Sequence, residues 1–369
     1  MKKVKVGIIG CGNISGIYLH NCLKVFKILE VAACADIDLN RAEEKAAEFG
    51  VPKFCTVQDL LADPEIRIAI NLTIPKAHAE VSLAALEAGK NVYNEKPLSI
   101  TREDGQKILK LAKSKGLLVG GAPDTFMGAG IQTCRKLIDD GWIGTPVAAT
   151  AFMTCHGHES WHPDPEFYYK VGGGPMFDMG PYYLTALVNL IGPIKRITGS
   201  AKITFPERNI SSQPKSGTKI TVDTPTHIAG VMDFDNGAIG SIITSFDVWH
   251  SHLPLVEVHG TEGSLNVPDP NSFGGPIFVR RYNCNEWKEI PLTHIYAENS
   301  RGIGVADMAY ALQSGRPHRA NGELTYHILD AMHAFLEASA EGRHIDLTSS
   351  CQKPAALPMG LCEGELDVV

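Results

Sequence analysis

The sequence predicts an α/β chain in two parts. Residues 1–123 read as a parallel sheet wound by helices on both faces. Residues 124–369 read as a second α/β unit built on a large, mostly antiparallel open sheet. Three observations predict this. In the first third, short apolar β-rich runs alternate with helical stretches, the pattern of a parallel sheet covered on both sides. Beyond residue 145, longer strand-like runs follow one another with few helices between, which favours antiparallel pairing. The length, 369 residues, is also more than one compact core serves.

Taken in order, VKVGIIG (4–10) is an apolar strand, and a glycine turn opens a helix around 14–26. LEVAACAD (29–36) is a second strand, and NRAEEKAAEFG (40–50) a charged helix ended by Gly50. IRIAINLT (66–73) gives a third strand, HAEVSLAALEAGK (78–90) a glycine-closed helix and NVYNEKP (91–97) a further strand end. TREDGQKILKLAKSKG (101–116) is amphipathic with Thr101 as N-cap, and LLVGG (117–121) is a short strand. In the second part, 146–153, 195–205, 219–234, 238–248 and 253–260 read as strands, with hairpin turns at DNG (235–237) and TEGS (261–264). Residues 212–217 read as an exposed loop, 306–315 and 321–342 as helices, and the last twenty as a surface tail.

Composition narrows the function classes. Hydrophobic residues make up 44% and charged residues 20%, the balance of an ordinary globular chain. A net charge of −7 argues against nucleic acid or an acidic membrane as partner. The nine cysteines occur singly with no C-x-x-C pair, which fits a reducing compartment, so a cytoplasmic location is expected. No apolar run is long enough for a membrane span.

GCGNISG (10–16) follows the first strand and opens the first helix, the context in which a glycine fingerprint means dinucleotide binding in a Rossmann fold. Gly10 permits the tight turn. Gly12, with Asn13 and Ile14 beside it, lets a pyrophosphate approach the helix N-terminus. Ser15 takes the place of the third glycine and is small enough for close packing. Asp36 ends the second strand, where a carboxylate accepts the ribose hydroxyls and repels a 2′-phosphate. Ile37 follows where an arginine would suggest NADP, so NAD is the expected cofactor. The bland alternative is a glycine turn in some other doubly wound protein.

NEKPLS (94–99) lies at the carboxyl end of a parallel strand, where such sheets bind ligands. Glu95 and Lys96 could form a surface ion pair of little worth. Pro97 instead fixes the backbone after Lys96 and aims that lysine into the crevice. TIPKAHAEVSLAALEAGKNVYNEKP (73–97) and GGGPMFDMG (172–180) resemble the two signatures of the Gfo/Idh/MocA oxidoreductases, the glucose–fructose oxidoreductase and inositol dehydrogenase group. DFDNGAIGSI (233–242), EVHGTEGSL (257–265) and GRP…GRHIDL (315–347) fit the rest of that family's pattern.

The resemblance implies NAD(P)-dependent chemistry on secondary alcohols of sugars and polyols. It also implies a homodimer or homotetramer formed through the open sheet. It implies cofactor contacts from Thr73, Ile74, Pro75, His78, Glu95 and Lys96. Two departures stand out. Ile74 separates Thr73 from Pro75, and APDT (122–125) stands where many members have Asn and Arg, leaving Asp124 as the candidate substrate contact there.

In the family pattern D-x-G-x-H, Asp178 and Gly180 match, and Tyr182 stands at the histidine position. Residues four apart at a helix start share a face. A phenol beside an ammonium is an adequate acid–base, since the positive charge favours phenolate. The expected chemistry has Tyr182 exchange the hydroxyl proton, Lys96 steady the developing alkoxide and Asp178 bond a neighbouring hydroxyl. The plain alternative is that Tyr182 and Tyr183 merely cap a helix and pack. In CHGHESWHPDPEFYYK (155–170), His156 and His158 would share a strand face, which with His162 and Asp164 invites a metal reading. No further ligand set at metal spacing accompanies them, so no metal is expected. Trp161, His162 and Tyr168 read as a wall for a pyranose ring, with His156 and Tyr183 as further candidate substrate contacts. His227, His327 and His333 sit in apolar patterns and read as core or surface residues.

The leading expectation is an NAD-dependent dehydrogenase or ketoreductase for a sugar, glycoside or cyclitol. An NAD-dependent glycosidase or lyase that oxidises its sugar only transiently is the alternative. A non-catalytic NAD-sensing protein is disfavoured by the presence of Lys96, Asp178 and a hydroxyl at 182.

Overall fold

A computed structural model describes residues 2–367. The first sheet is built from β1 (Val4–Ile9), β2 (Leu29–Ala35), β3 (Phe54–Cys55), β4 (Ile68–Asn71), β5 (Asn91–Asn94) and β6 (Val119–Gly121). Helices α1 (Ser15–Lys24), α2 (Leu39–Phe49), α3 (Val57–Ala62), α4 (His78–Glu87) and α5 (Arg102–Lys115) connect them. The order is β3-β2-β1-β4-β5-β6, parallel throughout. The chain therefore reverses direction across the sheet between β1 and β4, and the crevice beyond their carboxyl ends is where such a sheet takes a ligand. Caps fix the helix ends as the sequence indicates. The Thr101 side chain accepts from Asp104 N, and α5 closes on Gly116 in the left-handed region.

The second part adds α6 (Ala129–Asp139), β7 (Pro146–Thr154), α7 (Gly174–Asp178), α8 (Gly180–Leu190), β8 (Ile194–Lys202), β9 (Glu207–Asn209), β10 (Lys219–Thr221), β11 (His227–Phe234), β12 (Ile239–Ser245), β13 (Val256–Gly260), β14 (Gly263–Val267), β15 (Ile277–Arg281), β16 (Lys288–Ile290), α9 (Ile303–Ser314), α10 (Gly322–Glu341) and β17 (Ile345–Asp346). Its main sheet runs β16-β15-β14-β13-β7-β12-β11-β8-β17 and is antiparallel except where β7 meets β12. Helix α10 packs against β8 and β11. A Cβ at Gly230 would stand 2.5 Å from the Phe335 ring, so that strand must be bare there. The opposite face alternates partly exposed residues, and the cross-strand rows Phe152–Ile243–Ala229 and Thr150–Ser241–Val231 lie on it.

Several expectations are corrected. The strand read as third is the fourth, because two-residue β3 and short α3 are too brief to carry a period. The single run at 219–234 divides into β10 and β11, since Pro225 has no N–H for a ladder. The run at 253–260 is strand only from Val256, past Pro254. The C-terminal residues are a strap rather than a surface tail. Arg135 donates to Pro354 O, Leu357 N donates to Gln132 Oε1, and Leu366 is fully buried. Among the described residues, no helix is long and apolar enough to cross a membrane.

Candidate active site

The crevice at the carboxyl ends of β1, β4 and β5 opens into a cleft of about 270 Å³. It is walled on one side by Ile14, Thr73, Pro75, Glu95 and Lys96, and on the other by Tyr168, Phe177, Asp178 and Tyr182. At its outer end Gly10 has φ 101°, and a Cβ there would meet the Leu72 carbonyl group at 2.7 Å. A Cβ on Gly12 would touch nothing within 4 Å, so the surface above that backbone is free. Helix α1 has no capping side chain at Ile14 and no acid in its first turn; Ser15 N donates to Gly12 O at 3.1 Å, and the N–H groups after it in the first turn are left for an anion. The Asp36 carboxylate is held by Cys11 N at 2.7 Å and Asp38 N at 2.9 Å. Asn13 and Ile37 are exposed beside it, and Ile74 is exposed on the facing loop. An open glycine turn, an uncapped helix start and a fixed carboxylate past β2 together fit a dinucleotide.

A buried polar frame supports the inner wall. Ser82 Oγ donates to Asn94 Oδ1, and Asn94 Nδ2 donates to the carbonyls of Glu95, Pro97 and Leu98. His78 corrects an expectation: it is fully buried and touches no open surface. Its ring bridges Pro97 O at 2.6 Å and Thr73 O at 2.9 Å, and burial lowers its pKa against the pull of those carbonyls. It clips the Thr73 loop to the Lys96–Pro97 segment. Glu95 is likewise engaged, accepting from Tyr18 Oη and from Lys96 N, both at 2.8 Å.

Lys96 and Asp178 meet from opposite sides of the cleft. Lys96 Nζ donates to Asp178 Oδ1 at 2.7 Å and to Asp178 O at 2.8 Å, and lies 5.5 Å from the centre of the Tyr182 ring. Burial disfavours both charges, yet their mutual attraction wins. The lysine pKa is pushed up, and Lys96 with His158 holds the carboxylate down at about 2. Burial pushes the Tyr182 phenol up, while Lys96 and Arg301 pull it back down.

Glycines deliver this wall. Gly172 and Gly174 have φ 88° and 78°, and a Cβ on Gly173 would stand 2.5 Å from Phe167 O. Asp178 and Tyr182 do not share one continuous helix: Met179 breaks α7 from α8, and both side chains still line the cleft.

The histidine loop departs most from expectation. Strand β7 ends at Thr154, and Gly157 at φ 79° turns the chain, so His156 and His158 share no strand face. His156 stacks on Trp249 with ring centres 3.4 Å apart, lining a separate concavity with Phe205 and Arg208. His158 is the one that reaches the site, with Nε2 3.2 Å from Asp178 Oδ2 and its ring edge-on to Tyr168. The sequence signal for it was the HGHE stretch just ahead of the glycines, read there for metal. Among the described residues no group of three or more His, Cys, Asp or Glu could hold a metal ion. Tyr168 lines the cleft, whereas Trp161 and His162 stand outside its lining, Trp161 being largely exposed. Tyr183 is buried in packing. Asp124 is also buried, its Oδ2 accepting from Gly302 N and Gly304 N at the start of α9, and it is not part of the cleft's lining.

Two family models match the chain: the oxidoreductase family's NAD-binding Rossmann fold over residues 4–121 and the GFO/IDH/MocA C-terminal domain over residues 131–266. A dTDP-3,4-didehydro-2,6-dideoxy-α-D-glucose 3-reductase of Saccharopolyspora spinosa is 30% identical over 85% of this chain and 93% of its own. A levoglucosan dehydrogenase of Pseudarthrobacter phenanthrenivorans is 25% identical over 72% of this chain and 73% of its own. A solved levoglucosan dehydrogenase in complex with NADH and L-sorbose superposes with a TM-score of 0.81 at 21% identity, covering 95% of this chain and all of that one (100%).

Proposed function

The chain belongs to the GFO/IDH/MocA family of NAD-binding oxidoreductases, and on that premise we propose how its own residues move hydride between nicotinamide and a secondary alcohol or ketone of a sugar, glycoside or cyclitol. The observation that carries the reading is the buried Lys96–Asp178 pair at 2.7 Å beside Tyr182, at the inner end of an open glycine-turn crevice. Bound NAD supplies the hydride acceptor or donor at its nicotinamide ring. Gly10, Gly12, Asn13 and Ile14 would face its pyrophosphate, Asp36 its adenosine ribose, and Thr73, Ile74 and Pro75 the nicotinamide side. Asp36 favours NAD over NADP by charge.

In oxidation, Tyr182 in its phenolate form takes the proton of the reacting hydroxyl and becomes the phenol. Lys96 donates to the same oxygen and stabilises the charge that develops there. Asp178, kept ionised by Lys96 and His158, accepts from a neighbouring substrate hydroxyl and sets the face presented. Tyr168 packs against the apolar side of the ring. In reduction the proton returns from the Tyr182 phenol.

The partly apolar outer face of the large sheet supports a homodimer or homotetramer formed there. The nine free cysteines support a cytoplasmic location. The test is a panel of sugars, glycosides and cyclitols assayed for NADH absorbance at 340 nm. Steady growth with one class supports net dehydrogenation. Product release without NADH would contradict it and point to transient oxidation.

A further inference from the structure

We propose that the cleft takes a glycoside rather than a free sugar, with an aromatic or flat apolar aglycone laid against Phe167 at its mouth. This rests on the reading above that the reacting carbon sits between Lys96, Asp178 and Tyr182. The lining grades from charged to apolar. At the inner end the side chains of Lys96 and Asp178 are only 18% and 13% exposed and are paired with each other. On that wall the second part offers polar side chains only at Tyr168, Asp178 and Tyr182, and the rest of its lining is Phe167, Phe177, Gly172 and Gly173. Phe177 is buried, whereas Phe167 is 47% exposed and so stands where the cleft meets solvent.

Aromatic surface runs outward from there. The Phe167 ring centre is 4.0 Å from that of Tyr168 and 5.6 Å from that of His162. His162 is in turn 5.4 Å from Trp161, which lies outside the lining and is 62% exposed. This surface is held in place rather than loose. Ser212 Oγ donates to His162 O, and Lys215 Nζ donates to Asp164 and, at 2.6 Å, to Glu166 Oε1. Asp223 N donates to Tyr169 O at 2.8 Å, and the buried Tyr169 hydroxyl donates to Glu159. Lys170 Nζ donates to Thr221 O at 2.9 Å.

An exposed apolar surface fixed in this way is preorganised for a ligand. The facing wall of Ile14, Thr73 and Pro75 is the one assigned to the cofactor, which leaves the Phe167 wall to the substrate. A hydroxyl set against Phe167 would find no side chain there to bond. An aromatic or apolar aglycone would instead release water from both surfaces as it packs on the ring.

The experiment uses the full-length enzyme and compares the methyl and phenyl glycosides of each hexose in the panel, in both anomers. It reads kcat/KM by NADH absorbance and binding to the enzyme–NADH complex by calorimetry. The phenyl glycoside is expected to lead the methyl by about tenfold in kcat/KM, through KM, and by a similar factor in Kd. Phe167→Ala should bring that ratio near unity, and Phe167→Tyr, which keeps a ring, should retain it. A ratio near unity in the wild type, or a preference that survives Phe167→Ala, would overturn the proposal. So would a weaker NAD+ Kd in Phe167→Ala, which would give the ring to the cofactor, or a lower light-scattering mass, which would give it to a second copy of the chain. A binding preference lost in Phe167→Ala with no NADH formed from any glycoside would uphold the wall and overturn the dehydrogenase reading instead.

Discussion

Tyr182 and Asp178 do different jobs because their environments differ by a few ångströms. The carboxylate sits against an ammonium and a histidine and stays ionised, while burial holds the phenol above its ordinary value although Lys96 lies beside its ring. The cofactor end separates just as sharply, since Asp36 is fixed by two backbone N–H groups and Ile37 beside it is fully exposed. Asp36→Ala should therefore weaken NAD+ by about 1 kcal/mol or more, one charge-assisted bond, and NADP+ much less. Equal losses in the two titrations would remove the ribose assignment. Residues such as Gly10, Asp36, Lys96, Asp178 and Tyr182 were legible because each belongs to a short motif whose parts are neighbours in the chain. His158 was not, because it follows the Gly157 turn in a stretch with no period and only the fold brings it 3.2 Å from Asp178.

Among the elements, α9 is anchored at its start by Asp124, whose carboxylate accepts from Gly302 N and Gly304 N. Burial raises the Asp124 pKa to about 6, the Gly304 and Gly302 N–H groups only partly offsetting it. Its folded pKa thus exceeds the ordinary aspartate value of about 3.9, so the folded state binds more protons between those two values. Stability should fall as pH rises from about 4 to about 6, by about 3 kcal/mol at 1.36 kcal/mol per unit. Asp124→Asn keeps the acceptor oxygen and removes the charge. Its urea stability should lack that decline, and an identical decline in the variant would show that another group causes it. Elements with a long period, such as α5 and α10, and those with capping residues were legible in sequence. Two-residue β3 and helix α6, with no capping side chain at Gly128, offered no such signal. The split at Pro225 shows a chain-local rule outweighing a β-rich run.

For the molecule as a whole, the alternation of parallel and antiparallel halves was readable because each sheet type imposes its own rhythm. The closure of the molecule was not. The strap at residues 351–367 is held by carbonyl and carboxylate contacts to Arg135, Tyr296 and Arg316, which no periodicity announces. The outer face of the nine-stranded sheet is the surface through which copies are proposed to associate. Phe152→Asp, in the apolar row with Ile243 and Ala229, should shift the light-scattering mass toward the monomer, with NAD+ affinity unchanged. An unaltered mass would place the interface elsewhere.

The central claim is that this chain performs proton transfer with a phenol beside the Lys96 ammonium. Turnover of Tyr182→Phe with the best substrate of the panel, measured beside its NAD+ Kd, tests it most directly. The account predicts turnover lower by about 10²-fold or more with the Kd unchanged. Near-normal turnover would contradict it.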